Sequence, residues 1–226
     1  MPQTDIDPAP HITFTVDDQP ATGHRGQSVL AACLQNGVYI PHLCYLEGDQ
    51  HPPAACRLCF VQIQGQPQPA AACTTPITAG MHVLTTTASV RQLQKSALRL
   101  LLSVHRIDGK RCSANGTCQL QRIARHLGVG LNPRPLPRLT EFKPIDHTHP
   151  WISHDPNHCV LCGRCVRICR RIYDLPQVAM TGRGFDTQVR LLPAGPGPSG
   201  ELCRQCLACV KHCPVGALIS RIKPLA

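Results

Sequence analysis

Two stretches near one end of the chain place four cysteines in eleven residues. Cys159-Val-Leu-Cys162-Gly-Arg-Cys165-Val-Arg-Ile-Cys169 is the first, and Cys203-Arg-Gln-Cys206-Leu-Ala-Cys209-Val-Lys-His-Cys213 the second. Both read C-x2-C-x2-C-x3-C, and both put Val and then a basic residue after the third cysteine. Three thiolates in a tight loop hold three irons of a cubane, and the fourth ligand must come from elsewhere. In two-cluster ferredoxins the fourth cysteine of each run serves the other cluster. The spacing therefore assigns Cys159, Cys162, Cys165 and Cys213 to one [4Fe–4S] cluster. Cys203, Cys206, Cys209 and Cys169 go to the other. Zinc sites usually pair two C-x2-C units instead.

A second constellation is Cys44, Cys56, Cys59 and Cys73, spaced C-x11-C-x2-C-x13-C. Plant-type [2Fe–2S] proteins leave four residues between the first two cysteines. This chain departs from that pattern, so spacing alone leaves both zinc and [2Fe–2S] open. A third group, His105, Cys112 and Cys118, follows an apolar run, Leu98 to Val104, interrupted by Arg99. Cys33, on the apolar face of a helix, reads as a small core residue.

The elements that must position these groups are legible in outline. His11 to Val16 alternates with period 2, as a strand does. Gly23 to Gly26 supplies a turn. Ser28 caps the apolar run Val29 to Leu34, which ends at Asn36-Gly37 as a helix should. Phe60–Ile63, Ala70–Cys73 and His82–Thr85 read as short strands. Residues 11–86 thus form a small α+β domain, 87–130 a helical segment, and 131–150 a linker with five prolines. Residues 151–226 form the eight-cysteine domain, and residues 1–10 a polar tail.

The chain has 226 residues, fifteen cysteines and a formal charge of +10. That charge invites a nucleic-acid reading, but only 4% of residues are aromatic, and base stacking needs rings. Each four-thiolate cluster adds about −2, so three would leave about +4. The bases among the cysteines then read as counter-charges, and no nucleic acid is expected. No apolar run of about 18 residues and no secretory signal is present, so neither a membrane span nor export is expected. A cytoplasmic location suits thiols kept reduced or metal-bound. No G-x-G-x-x-G follows a strand, Gly195 to Gly200 is a Pro-rich turn, and no nucleophile has its base.

The residues around the second constellation carry a resemblance. Ile40-Pro-His-Leu-Cys44-Tyr, Cys56-Arg-Leu-Cys59 and Ala72-Cys73-Thr-Thr-Pro76, followed by Gly80-Met81, resemble the N-terminal [2Fe–2S] region of the large iron–sulfur subunit of respiratory NADH dehydrogenases. The same region opens electron-transfer subunits of NAD-reducing hydrogenases and NAD-dependent formate dehydrogenases. The resemblance runs from residue 11 to residue 220. It implies a β-grasp [2Fe–2S] ferredoxin-like domain, a short helical His/Cys segment and a bacterial-type 2[4Fe–4S] ferredoxin domain. Gly182-Arg-Gly-Phe-Asp186 is also typical of these families and implies a shaping role in the di-cluster domain.

The resemblance also implies a further cluster on one His and three Cys, in the pattern H-x3-C-x2-C-x5-C. His105, Cys112 and Cys118 fall on its ligand positions, but Gly109 stands where the first cysteine belongs. Asp108 or a water could complete a [4Fe–4S] site, the cluster could become [3Fe–4S], or it could be lost, with Lys110 or Arg111 filling the gap.

The length and domain order are most similar to the small diaphorase subunits of bidirectional NAD-reducing nickel–iron hydrogenases. The implied role is a non-catalytic electron-transfer subunit, passing single electrons between a flavin/NAD-binding diaphorase subunit and the hydrogenase small and large subunits. The alternatives are an iron–sulfur subunit beside a molybdenum or tungsten formate dehydrogenase chain, and a free-standing multi-cluster ferredoxin. No catalytic domain follows the second cysteine run in this sequence.

Overall fold

The computed structural model describes residues 11–132, 136–137, 139, 142–173, 176–192 and 198–222. The expected tail at residues 1–10, Pro133, Pro135 and Gly195 to Gly197 lie outside them. The chain divides into two compact units, residues 1–97 and 98–226.

The first unit is built on a hairpin. Strand β1 (His11–Val16) buries Phe14 and Val16 and turns its threonines away from that core. Asp17 and Asp18 both take positive φ, 46° and 64°. That pair makes the mirror-image two-residue turn that suits strand twist. Strand β2 (Gln19–His24) returns antiparallel, pairing Val16 with Gln19. Asp17 then accepts from the Thr85 amide at 2.7 Å, tying the turn to the end of β5.

Helix α1 (Val29–Gln35) starts where Ser28 Oγ accepts the Ala31 amide at 3.2 Å, satisfying a donor the helix itself leaves unpaired. It stops at Gly37, whose φ of 75° lets the Val38 amide reach the Cys33 carbonyl at 2.8 Å, as a left-handed glycine cap does. Strands β3 (Phe60–Ile63), β4 (Ala70–Ala71) and β5 (His82–Leu84) complete a five-stranded sheet in the order β2-β1-β5-β3-β4. β1 and β5 run parallel, and the other pairs antiparallel. Val29, Leu30, Ala32 and Cys33 of α1 share one core with Phe14, Val61 and Val83 of the sheet. Cys33 is fully buried there, and burial pushes its thiol up to about 12.

Helix α2 (Ala88–Ser103) crosses the boundary between the units. In the second unit, α3 (Gln119–Leu127) ends at left-handed Gly128. Strand β6 (Ile152–His154) pairs antiparallel with β9 (Leu218–Ser220). Between them lie α4 (Arg164–Ile172), the hairpin of β7 (Val178–Thr181) and β8 (Gln188–Leu191), and helices α5 (Pro198–Cys206) and α6 (Ala208–Lys211).

The Pro-rich stretch is tied down at its described positions. Leu139 N donates to Ser103 O at 2.8 Å, Asp146 bridges His154, and Asn157 bonds both backbone groups of Lys143. Among the described residues no helix is long and apolar enough to cross a membrane.

Candidate metal centres

Cys44, Cys56 and Cys59 lie on the irregular segment between α1 and β3, and Cys73 just beyond β4. Two amides of α1's first turn fasten the Cys73 loop. Val29 N donates to Thr75 O at 2.8 Å and Leu30 N to Ala72 O at 2.9 Å. Ala54 and Arg57 take φ of 50° and 51°, which curls the loop around the sulfurs. Such left-handed conformations are uncommon outside glycine and persist only where the surroundings enforce them.

The four sulfurs, all buried, form two pairs. Cys44 donates to Cys56 with sulfurs 3.5 Å apart, and Cys59 donates to Cys73. The hydrogen bond from Cys44 pulls the Cys56 thiol down to about 6, helped by the Leu58 and Leu43 amides, the latter 3.4 Å away. Cys59 lowers Cys73 likewise, and the donors Cys44 and Cys59 are raised. Each iron of a two-iron cluster takes two thiolates, so a pair of sulfur pairs fits that group. A single zinc would draw all four sulfurs to one point.

In the second unit, two small, mostly apolar cavities lie on the cysteine runs. One is walled by Cys159, Cys162, Cys165 and Cys213, the other by Cys203, Cys206, Cys209 and Cys169. Each set contains three cysteines of one run and the last cysteine of the other. The helices produce this crossing. α4 carries Cys165 and Cys169, one helical turn apart, so they face adjoining cavities. Cys209, in α6, is close enough to bear on the charge of Cys165.

Burial and neighbouring sulfurs raise the thiols. Cys159 and Cys209 reach about 12 and Cys162 about 11, and Cys165 and Cys203 rise as well. Buried thiols crowded together keep their protons until a cation replaces them. Amides already point at several sulfurs: Gln177 N at Cys169 (3.3 Å), Ala208 N at Cys206 (3.4 Å) and Ala217 N at Cys213 (3.2 Å).

The two runs differ in backbone. Cys159 and Cys162 lie in a loop with Leu161 at φ 51°, whereas Cys203 and Cys206 fall in the last turns of α5. Their surroundings differ too. Against the effect of burial, the guanidiniums of Arg164 and Arg167 lower Cys162, while the Tyr173 hydroxyl hydrogen-bonds Cys206. Arg167 is the base after the third cysteine of the first run, so the repeat marked it. Nothing in the sequence marked Tyr173 or Gln177.

His105 is buried beyond α2 beside His158, with ring centroids 5.6 Å apart and the planes tilted by 52°. Cys118 is buried and Cys112 half-buried. Burial raises the Cys118 thiol, and Cys112 and Cys213 are the charges that add to it. Lys110 and Arg111 are exposed, so the expectation that one of them fills the gap at Gly109 is corrected: their long, strongly hydrated side chains stay in water. Among the described residues, no three His, Cys, Asp or Glu side chains converge on a single metal ion.

Comparison with known proteins agrees with this geometry. Residues 9–88 match the 2Fe-2S iron-sulfur cluster binding domain family, and residues 199–219 the 4Fe-4S binding domain family. The crystal structure of an NAD+-reducing [NiFe]-hydrogenase in the H2-reduced state contains a chain that superposes with a TM-score of 0.78 at 30% identity. The match covers 93% of this chain and 87% of that one. This chain belongs to the family of iron–sulfur electron-transfer subunits of NAD(P)-linked hydrogenases and NADH dehydrogenases.

Longer relatives share it as a segment. The NADPH-Fe(3+) oxidoreductase subunit alpha of Geobacter sulfurreducens is 31% identical over 210 residues, 93% of this chain and 24% of that protein. The NADP-reducing hydrogenase subunit HndD of Solidesulfovibrio fructosivorans is 31% identical over 92% of this chain and 36% of its own length. The NADH-ubiquinone oxidoreductase 75 kDa subunit of Reclinomonas americana is 30% identical over 93% and 29%. The chain thus spans a quarter to a third of the length of these relatives.

Proposed function

We propose that this chain is a non-catalytic relay that carries single electrons between a flavin- and NAD(H)-binding subunit and the catalytic module of an NAD-reducing hydrogenase in the cytoplasm. One observation carries the reading: each of the two adjoining cavities is closed by three cysteines of one run and one of the other. In this reading Cys44, Cys56, Cys59 and Cys73 hold one [2Fe–2S] cluster. Cys159, Cys162, Cys165 and Cys213 hold one [4Fe–4S] cluster, and Cys203, Cys206, Cys209 and Cys169 a second. The division of the chain at residues 86, 130 and 150 belongs to the same proposal.

Bound clusters supply one-electron chemistry, so the two-electron hydride step at NAD needs a flavin on another subunit. The chain's own residues set the conditions for transfer. The apolar walls, Val160, Val189, Val215 and Leu218 on one side and Ile152, Val178 and Leu191 on the other, keep water away. Amide donors to sulfur and the nearby guanidiniums favour the electron-rich state.

The test is elemental analysis of the native complex, isolated without oxygen through a tag on this chain. Nickel with iron supports the hydrogenase. Molybdenum or tungsten without nickel moves the chain to a formate dehydrogenase. Iron with neither metal and no partner chain refutes the permanent relay and favours a free ferredoxin.

A further inference from the structure

The family resemblance implies a fourth centre on His105, Gly109's position, Cys112 and Cys118. The residues there do not fit one. Gly109 offers no ligand, sits at φ +57° and faces open space where a Cβ would be. Asp108, the nearest carboxylate, accepts a hydrogen bond from Arg106 Nε on Oδ1 at 2.8 Å. Its Oδ2 lies 3.2 Å from His158 Nε2, close enough for an ion pair with a protonated ring though not aligned as a hydrogen bond. The other ring nitrogen of His158 meets Asp155 Oδ2 at 2.8 Å. Arg106 N adds a bond to Asn157 O at 2.9 Å.

His158, Asp108 and Asp155 are among the charges that bear on His105, and Cys112 and Cys213 among those that bear on Cys118. The loop bearing Cys112 and Cys118 is itself docked elsewhere. Gln119 N donates to Pro214 O at 2.9 Å and Ser113 Oγ to Gly216 O at 3.2 Å. One feature points the other way: His105 Nδ1 is buried without a partner, as a ligand atom would be. A lone imidazole nitrogen is not a ligand set for a cubane, which needs one ligand per iron.

We propose that this chain carries no fourth cluster. Instead, residues 105–118 form a polar clasp in which Asp108 joins Arg106 to His158 beside Cys159, leaving Cys112 and Cys118 as free thiols. The inference rests on the relay reading, because it counts clusters within it. Its consequence is a relay of three centres, with the clasp holding the end of α2 to the loop that opens the first cysteine run.

The test uses the complex purified without oxygen. Iron is counted per chain, and the folded protein is treated with iodoacetamide before peptide mapping. About ten irons are expected, two plus four plus four, with half-buried Cys112 alkylated and the twelve paired cysteines protected. About fourteen irons, or about thirteen for a three-iron centre, with Cys112 protected, overturns the proposal. A companion variant, Cys112→Ser, is expected to leave the iron count and the reduced electron paramagnetic resonance spectrum unchanged. Loss of about four irons and one signal overturns it. If the twelve paired cysteines are themselves alkylated and iron is near zero, the relay reading falls, and this inference falls with it.

Discussion

Replacing Gly216 with alanine tests how the second unit closes over Cys213. Gly216 sits at φ +68°, and a Cβ built there meets Ala114 Cβ at 2.6 Å and Ser113 Oγ at 3.0 Å. Two costs add. A left-handed alanine costs about 1–2 kcal/mol. Overpacking against the 113–119 loop costs about 1–3 kcal/mol more. The sum, about 2–5 kcal/mol, is a large share of the stability of an ordinary domain. Gly128→Ala is the control: its φ is +63°, but a Cβ there meets nothing within 4 Å, so it carries the backbone cost alone.

The assay is thermal unfolding of the loaded protein, followed by bleaching of its visible absorbance. Gly216→Ala should lower the apparent midpoint by on the order of 10 °C, and Gly128→Ala by about half as much. The neighbouring Ala217 amide points at Cys213 sulfur at 3.2 Å, so Gly216→Ala should also speed iron loss. Equal effects from the two substitutions would refute the reasoning, because the loop contact would then cost nothing.

Cys213→Ala should abolish the cluster at Cys159, Cys162 and Cys165, and Cys169→Ala the one at Cys203, Cys206 and Cys209; spectra showing each loss in the residue's own run would rule out the crossing. Arg167→Gln removes a positive charge near Cys162, and a positive charge favours the more negative, reduced state. The potential of that cluster should therefore fall by on the order of 50 mV while its neighbour barely moves, as measured by redox titration. Asn157→Ala deletes both bonds to Lys143, 2.9 Å and 2.8 Å long. That loss should cost about 2–3 kcal/mol in chemical denaturation.

Much of the site was legible because ligand spacing is local. The two cysteine runs are legible through their repeat, and each cavity is lined by three cysteines of one run and one of the other. Helix α1 was readable from Ser28 and Gly37 because caps are local signals. Strand β2 was harder: Gly23 reads as a turn residue, yet it pairs with Ile12 inside the hairpin, and the real turn is Asp17-Asp18. The parallel pairing of β1 with β5 joins distant parts of the sequence and leaves no local trace. The Asp108 clasp was hidden for the same reason, since His158 and Asp155 come from a distant loop. At Cys44 the pairing of sulfurs, which separates two irons from one zinc, is a matter of distance that spacing alone left open.

The crossing of Cys169 and Cys213 bears on how such a chain is made. One enclosure lacks a wall until residue 209 has been made and the other until residue 213 has, so neither run can complete its own enclosure when it first emerges. Once both halves exist, filling either enclosure fixes the separation of α4 and α6 and aligns the cysteines of the other. Maturation of this region then couples the two fillings, because order gained in one enclosure is passed through α4 and α6 to the other.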